Sequence, residues 1–468
     1  MPQPQLAATP RTAPPAPTGH PRATLAVTAA ATAVALMNYT APMLTLPDMA
    51  AAFGTPPSAQ AWLLNGTPLG LAVLLLVAGS LADAHGRRRI FLLGTLTLGL
   101  TTALGAFAGS TPTFTAARIA QGAASAAVLA GSLGLLAHAY PAGRDRIRAT
   151  GIWGASVSGG IALGPLLAGV LSLADWRLAY GTLGAAALVV AGVGTRTLPK
   201  DTKVTKDTKA TKATKAPGTP RPDTAGALTL GLALTALLTA LTLGRDGWLR
   251  APVGLPLLAA AALTAAFAAI EHRTRTPMID LALLRRPAFL ASTLGALFTG
   301  LAVIGLFSVI PALLQSRAGM SPLTSAALFL LWSGTAFVAA LQARRLAGRL
   351  SAPHQLALGF ALSATGVLAL LGSLDGPWPR PLPGLLLAGL GSGLLNAALP
   401  RLAVDSVPPE RAAMGSGANN TARYIGSSAG VSLTLALLTT GPNTALLVSA
   451  TLAVAGAALT LALGRKRT

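Results

Sequence analysis

The chain has 468 residues, 52% of them hydrophobic and only 10% charged, with a mean hydropathy of +0.62. Soluble domains carry roughly 25% charged residues, so this chain could not cover a water-facing surface. The net charge of +22 sits in short clusters between apolar blocks, with no aromatic-interleaved basic face to suit nucleic acid, and the absence of cysteine excludes disulfides, thiolate metal sites and cysteine nucleophiles.

Residues 1–23 are rich in Pro, Ala and Thr and read as a disordered tail. The apolar block that follows is too long for a signal-peptide core and reads as a first span. Blocks of about 20 apolar residues match the bilayer interior, where only helices or closed barrels satisfy the backbone. These blocks are rich in Leu and Ala and lack strand alternation, which predicts helices. Fourteen are expected, at 24–44, 60–79, 90–109, 113–138, 150–172, 178–195, 226–244, 252–270, 288–310, 323–342, 354–373, 381–400, 416–439 and 444–464. With the amino terminus inside, 28 of the 35 Lys and Arg fall on the cytoplasmic side, 5 outside, and 2 (Arg118 and Arg423) within spans. That asymmetry predicts cytoplasmic termini, including a short tail at 465–468.

Five x-Thr-Lys triplets run from Asp201 to Lys215. A period of three suits neither helix nor strand, so 196–225 reads as a disordered linker. It separates a six-span bundle, 24–195, from an eight-span part made of a helix pair, 226–270, and a second six-span bundle, 271–464.

After the second span comes Gly79-Ser80-Leu81-Ala82-Asp83-Ala84-His85-Gly86-Arg87-Arg88-Arg89. The glycines allow a tight turn, and Asp83 can cap a helix or pair with an arginine, although a plain cytoplasmic loop would carry the same arginines for topology alone. In span 4, Arg118-Ile119-Ala120-Gln121-Gly122 puts a cation inside the membrane, where it must be paired or hydrated unless it snorkels to the headgroups. Span 5 spaces Gly160, Gly164 and Gly169 around Pro165, either for close packing of neighbouring helices or as part of a more specific motif. Asn38, Thr40, Asn65, Gln121, Asn396, Asn419, Asn420 and Arg423 are the polar residues singled out within spans. Trp62 and Trp153 either line a pathway or anchor at an interface, and Gln315 is expected in a loop.

These strings together resemble the major facilitator superfamily. The Gly79–Arg89 segment resembles its motif A, G-x-L-x-D-x-x-G-R-[RK], which implies that Asp83, Arg87 and Arg88 latch a loop while Gly79 and Gly86 act as hinges. Arg118-x-x-Gln121-Gly122 resembles motif B, whose arginine is associated with proton coupling. The Gly160…Gly164-Pro165…Gly169 series resembles the antiporter motif C, followed by Asp175-Trp176-Arg177. Met37-Asn38-Tyr39-Thr40-Ala41-Pro42-Met43-Leu44-Thr45-Leu46-Pro47 and Gly415–Gly426 are similar to segments of the fourteen-span drug:proton antiporters, with Asn38 standing where that family carries an acidic residue.

The resemblance implies an all-α polytopic fold of two six-helix bundles plus two inserted helices. It also implies export of a small organic molecule by proton antiport across the cell membrane. None of the 13 acidic residues is expected in a span core. Such an interior suits a neutral or anionic substrate better than a cation, and leaves Asp48 as the carboxylate at the outer vestibule. Export without proton coupling, and a non-transporting receptor on the same scaffold, are the alternatives. The receptor would predict loss of the latch or an added soluble domain. No enzyme is expected: there is no Gly-rich loop ending in Gly-Lys, and Gly426-Ser427-Ser428-Ala429-Gly430 lacks a strand–turn–helix setting. The five histidines are scattered, so no metal site or cofactor is expected.

Overall fold

The computed structural model describes residues 21–140, 144–199, 223–243, 250–274, 281–346, 349–374, 376, 379–408 and 412–464. Residues 1–20 of the expected amino-terminal tail, the carboxy-terminal tail and most of the Lys/Thr linker lie outside the described residues; residues 21–23, expected in the tail, instead begin the first helix. The described chain is helical throughout. Its first half contains α1 (Pro21–Thr40), α2 (Pro42–Phe53), α3 (Gln60–His85), α4 (Arg87–Ala106), α5 (Thr111–Ala139), α6 (Arg144–Leu171) and α7 (Arg177–Thr197). A hairpin of α8 (Thr224–Leu243) and α9 (Ala251–Arg273) follows. The second half begins with α10 (Pro287–Phe298), a π-helical stretch at Thr299–Ile304, and the short helices α11 (Gly305–Phe307) and α12 (Ile310–Ser316). It continues with α13 (Pro322–Leu346), α14 (Ala352–Leu368), α15 (Leu382–Asp405), α16 (Ala412–Leu437) and α17 (Pro442–Gly464).

Among the described residues, ten helical segments are long and apolar enough to cross a membrane; α3, α8, α14 and α16 are not among the ten. Exposed leucines such as Leu228, Leu232, Leu255 and Leu258 clothe the α8–α9 hairpin. An apolar outer face of that kind fits hydrocarbon rather than water.

In the first half α3 and α4 pack on α5, and α1 packs on α6; in the second, α14 packs on α15 and α17, and α10 on α16. The halves meet along α3–α16 and α6–α13, and the hairpin rests through α8 on both α3 and α16. Small residues permit these approaches. A Cβ on Gly122 would lie 2.9 Å from the Cα of Gly70, so α5 and α3 touch at backbone distance.

The first span differs from its expected single helix. Pro42 has no N–H to donate to Asn38, so helical order breaks at Ala41 and restarts as α2. Gly54, with φ of 60°, then closes α2.

Candidate transport site

The break at Ala41 makes a carbonyl available, and Arg118 takes it. The guanidinium Nη1 donates to the Asn38 carbonyl oxygen at 2.8 Å, to Asn38 Oδ1 at 3.0 Å and to Gln121 Oε1 at 2.7 Å. Nη2 donates to the Tyr39 carbonyl at 3.3 Å. Asn38 Nδ2 donates to Gln121 Oε1 at 3.1 Å, and Gln121 Nε2 reaches the Thr101 carbonyl at 3.0 Å. Arg118, Asn38 and Gln121 are each 0% exposed. Arg118 therefore faces no cavity. It is a buried cation held by neutral acceptors, and it staples α5 to the end of α1.

A second polar group joins the halves. Tyr39 Oη and Ser427 Oγ lie 3.2 Å apart, and the Tyr39 and Tyr424 rings meet edge-on at 5.9 Å. Asn65 Nδ2 donates to the Ser428 carbonyl at 3.1 Å and to Ser432 Oγ at 3.0 Å. One turn before Ser427, Arg423 Nη2 donates to Asn396 Oδ1 at 2.9 Å. Arg423, Asn396 and Asn420 are each half-buried, and Asn420 Nδ2 bonds the Ser416 carbonyl of its own helix. Three of the expected cavity residues thus gather on facing parts of α15 and α16. Thr40 stays apart, fully buried, with its hydroxyl bonded to the Leu36 carbonyl at 3.0 Å.

Contacts that join the halves run from mid-span, where Thr421 Oγ1 donates to the Ala72 carbonyl at 3.3 Å, to the end of the molecule opposite Pro21. Gln315 Nε2 donates to the Leu44 carbonyl at 3.0 Å, which corrects its expected loop placement: Pro311 restarts the helix there as α12. A Cβ on Gly169 would lie 2.8 Å from Ala326 Cβ of α13, whereas Gly160 abuts Ala33 and Leu36 and Gly164 abuts Met37 of α1. Pro165 lies within α6, between these contacts. The end of the molecule that carries Pro21 holds a cavity of about 650 Å³ lined by Arg22, Leu25, Tyr140, Asp145, Arg148 and Ile152.

The Major Facilitator Superfamily signature matches residues 28–431. The chain belongs to the major facilitator superfamily. It is 31% identical over 388 residues to the multidrug resistance protein Stp of Mycobacterium tuberculosis, covering 82% of this chain and 70% of that one. It is 30% identical over 430 residues to the puromycin resistance protein of Streptomyces alboniger, covering 90% and 82%. It is 31% identical over 440 residues to the cephamycin export protein CmcT of Amycolatopsis lactamdurans, covering 90% and 86%. Among solved structures, a bacterial homologue of the lysosomal transporter Spinster, in an inward-facing and occupied conformation, matches with a TM-score of 0.67 at 14% identity, over 94% of this chain and 96% of that one. At that identity the likeness establishes the fold. This major facilitator protein is a multi-pass membrane transporter, not an enzyme.

Other residues expected from the family motifs fall as follows. Gly86, with φ of 99°, makes the turn between α3 and α4, a backbone conformation that favours glycine. Arg87 Nη1 donates to the Gly134 carbonyl at 3.1 Å, and Arg88 Nη2 to the Thr195 carbonyl at 2.7 Å. Both arginines therefore tie the turn to α5 and α7. Gly79 and Asp83 lie in α3, but their side-chain surroundings are outside the described residues. Trp62 packs with Leu69, Ala72 and Leu234 beneath the hairpin, and Trp153 Nε1 donates to Thr32 Oγ1 at 2.9 Å within the first half.

Asp48 is half-buried on α2, beyond the Pro21–Thr40 segment, and does not join the Arg118 network. Burial, and then the charge of Asp175, push its carboxyl above the usual value. One acidic residue escaped the sequence reading. α9 extends to Arg273 and takes in Glu271, which is 3% exposed. It sits beside Asp223, whose Oδ1 accepts the Gly226 N–H at 2.7 Å and caps α8.

Proposed function

We propose that this protein is a secondary active exporter of small organic molecules, working by alternating access between its two halves. The observation that carries this reading is that contacts between halves gather towards one end: Leu44–Gln315, Gly169–Ala326, Tyr39–Ser427 and Asn65–Ser428, with Thr421–Ala72 nearer mid-span. A closed end opposite the termini corresponds to an inward-facing state when both termini are cytoplasmic, the orientation that the Lys and Arg distribution supports. The names of the relatives, which speak of multidrug resistance, puromycin resistance and cephamycin export, support efflux and a small-molecule substrate.

In this reading fourteen helices cross the cell membrane. Residues 24–195 and 271–464 form the moving bundles, and 226–270 the inserted pair that rides on the α3–α16 seam.

Proton antiport is the coupling that the family resemblance implies, and on this path it would rest on Asp48. A second reading, export of a neutral or anionic molecule without proton exchange, is favoured by one observation: Arg118 is held by Asn38, which cannot titrate. Transport in inside-out vesicles, with a pH gradient and a membrane potential imposed separately, tests both. Uptake driven by the pH gradient supports antiport, uptake that follows potential alone supports the second reading, and no uptake of any member of a mixed antibiotic and acidic-metabolite panel sinks the exporter reading.

A further inference from the structure

Arg423 lies at the twelfth position of a helix of 26 residues, far from either end, and yet it is only half-buried. Its single described hydrogen bond, to Asn396 Oδ1, uses one of the five N–H donors of a guanidinium. No ion pair to Arg423 is formed among the described residues. This separates it from Arg118, whose Nη atoms are occupied by Asn38, Tyr39 and Gln121 and which is sealed from any opening.

The carboxylates whose surroundings are described lie towards the two ends of the molecule, away from the middle of α16. Asp48 and Asp175 stand towards the closed end; Asp145, Asp223, Glu271 and Asp405 lie at the end that carries Pro21. A positive charge inside a membrane protein with no carboxylate beside it is costly unless a cavity, or a ligand entering that cavity, supplies the counter-charge.

The surroundings specify more than charge. Asn420, Arg423 and Ser427 follow one face of α16 at spacings of three and four residues. Across from them stand Asn396 of α15 and the Tyr39 ring of α1, itself edge-on to Tyr424. A guanidinium fork suits an oxyanion of carboxylate or phenolate type, and the tyrosine rings suit an apolar or aromatic body. We propose that the transported substrate is an organic anion carrying a carboxylate or ionised phenol, and that Arg423, held by Asn396, is the residue that binds its charge. This rests on the exporter reading above and adds the substrate class to it.

Two xanthene dyes of similar body but opposite charge test the assignment: fluorescein as the anion and rhodamine 6G as the cation. Binding to purified protein is followed by fluorescence polarisation, and transport in proteoliposomes. Fluorescein is expected to bind and move while rhodamine 6G does not. Arg423→Gln should weaken fluorescein binding roughly 10- to 100-fold, with Arg423→Lys recovering part of the loss. A single monodisperse peak on size exclusion establishes that each variant is folded. Preference for rhodamine 6G, equal handling of both dyes, or unchanged fluorescein binding by a folded Arg423→Gln protein overturns the assignment and leaves the exporter reading standing. Transport of neither dye overturns the assignment and also counts against the exporter reading.

Discussion

Replacing Arg118 with alanine removes four hydrogen bonds at once, because Nη1 and Nη2 serve the Asn38 carbonyl, Asn38 Oδ1, Gln121 Oε1 and the Tyr39 carbonyl. Hydrogen bonds between membrane helices are worth about 0.6 kcal/mol each on average, which sets a floor of about 2.4 kcal/mol for four. The loss grows when buried acceptors are stranded, at about 1–3 kcal/mol each. The Asn38 carbonyl is the clearest case, since Pro42 offers no N–H to replace the guanidinium. Gln121 Oε1 keeps its bond from Asn38 Nδ2 and is stranded less. The expected destabilisation is therefore about 2.4–6 kcal/mol. It should be measured as a shift of the unfolding midpoint in mixed micelles, alongside transport by the fraction that remains folded. Arg118→Lys should fall between, because an ammonium lacks the planar fork. Wild-type stability and transport in a correctly inserted Arg118→Ala protein would refute the staple.

Asn38→Asp keeps an acceptor 3.0 Å from Arg118 Nη1 but makes it titratable, so vesicle uptake should become responsive to an imposed pH gradient. Asp48→Asn should leave potential-driven transport intact, because Asp48 stands outside the Arg118 network. Its raised carboxyl value means that the folded state favours the protonated form: the stabilisation is present below the ordinary value of 3.8 and is lost as pH rises through the raised value. The variant's melting temperature should therefore vary less with pH across that interval. Gly160→Val would place its Cβ 2.9 Å from Leu36 Cβ and 2.5 Å from the Ala33 carbonyl oxygen, so it should cost about 1–3 kcal/mol in the same micelle assay. Gly159→Ala, where nothing lies within 4 Å, should be neutral or stabilising by up to about 1 kcal/mol.

The helices were legible because a bilayer demands long apolar segments, whatever packs against them. The expected segment at 113–138, for instance, is α5 at Thr111–Ala139. The internal break of the first span was also readable, and was missed: a proline four residues after Asn38 must free that carbonyl. Other features carry no local signal. Gln315 meets Leu44 across 271 residues and Tyr39 meets Ser427 across 388, so nothing near either residue announces the contact. Spacing brought Arg118 and Gln121 to one helix face. Whether Arg118 faced a cavity or neutral acceptors depended on α1, which only the tertiary structure supplies.

The Asn38 side chain beside Arg118 and the half-buried Arg423, which forms no ion pair among the described residues, belong to one physical arrangement. A carboxylate beside Arg118 would give the interior a group able to exchange a proton for a substrate. With Asn38 there the staple keeps its acceptor, but that side chain has no proton to exchange. An exporter of cations needs a coupling ion, since each unit of positive charge leaving against an inside-negative potential of 100 mV costs about 2.3 kcal/mol. For a monovalent anion the same potential acts in the outward direction. Its 2.3 kcal/mol corresponds to roughly a fifty-fold concentration ratio without any proton at all. An interior that offers Arg423, with no ion pair to it among the described residues, is thus consistent with an anion. The consistency has a measurable edge: in vesicles held at equal pH, collapsing the potential with valinomycin and potassium should abolish uphill movement of fluorescein. Persistence of that movement would mean that another coupling ion is bound elsewhere on the path.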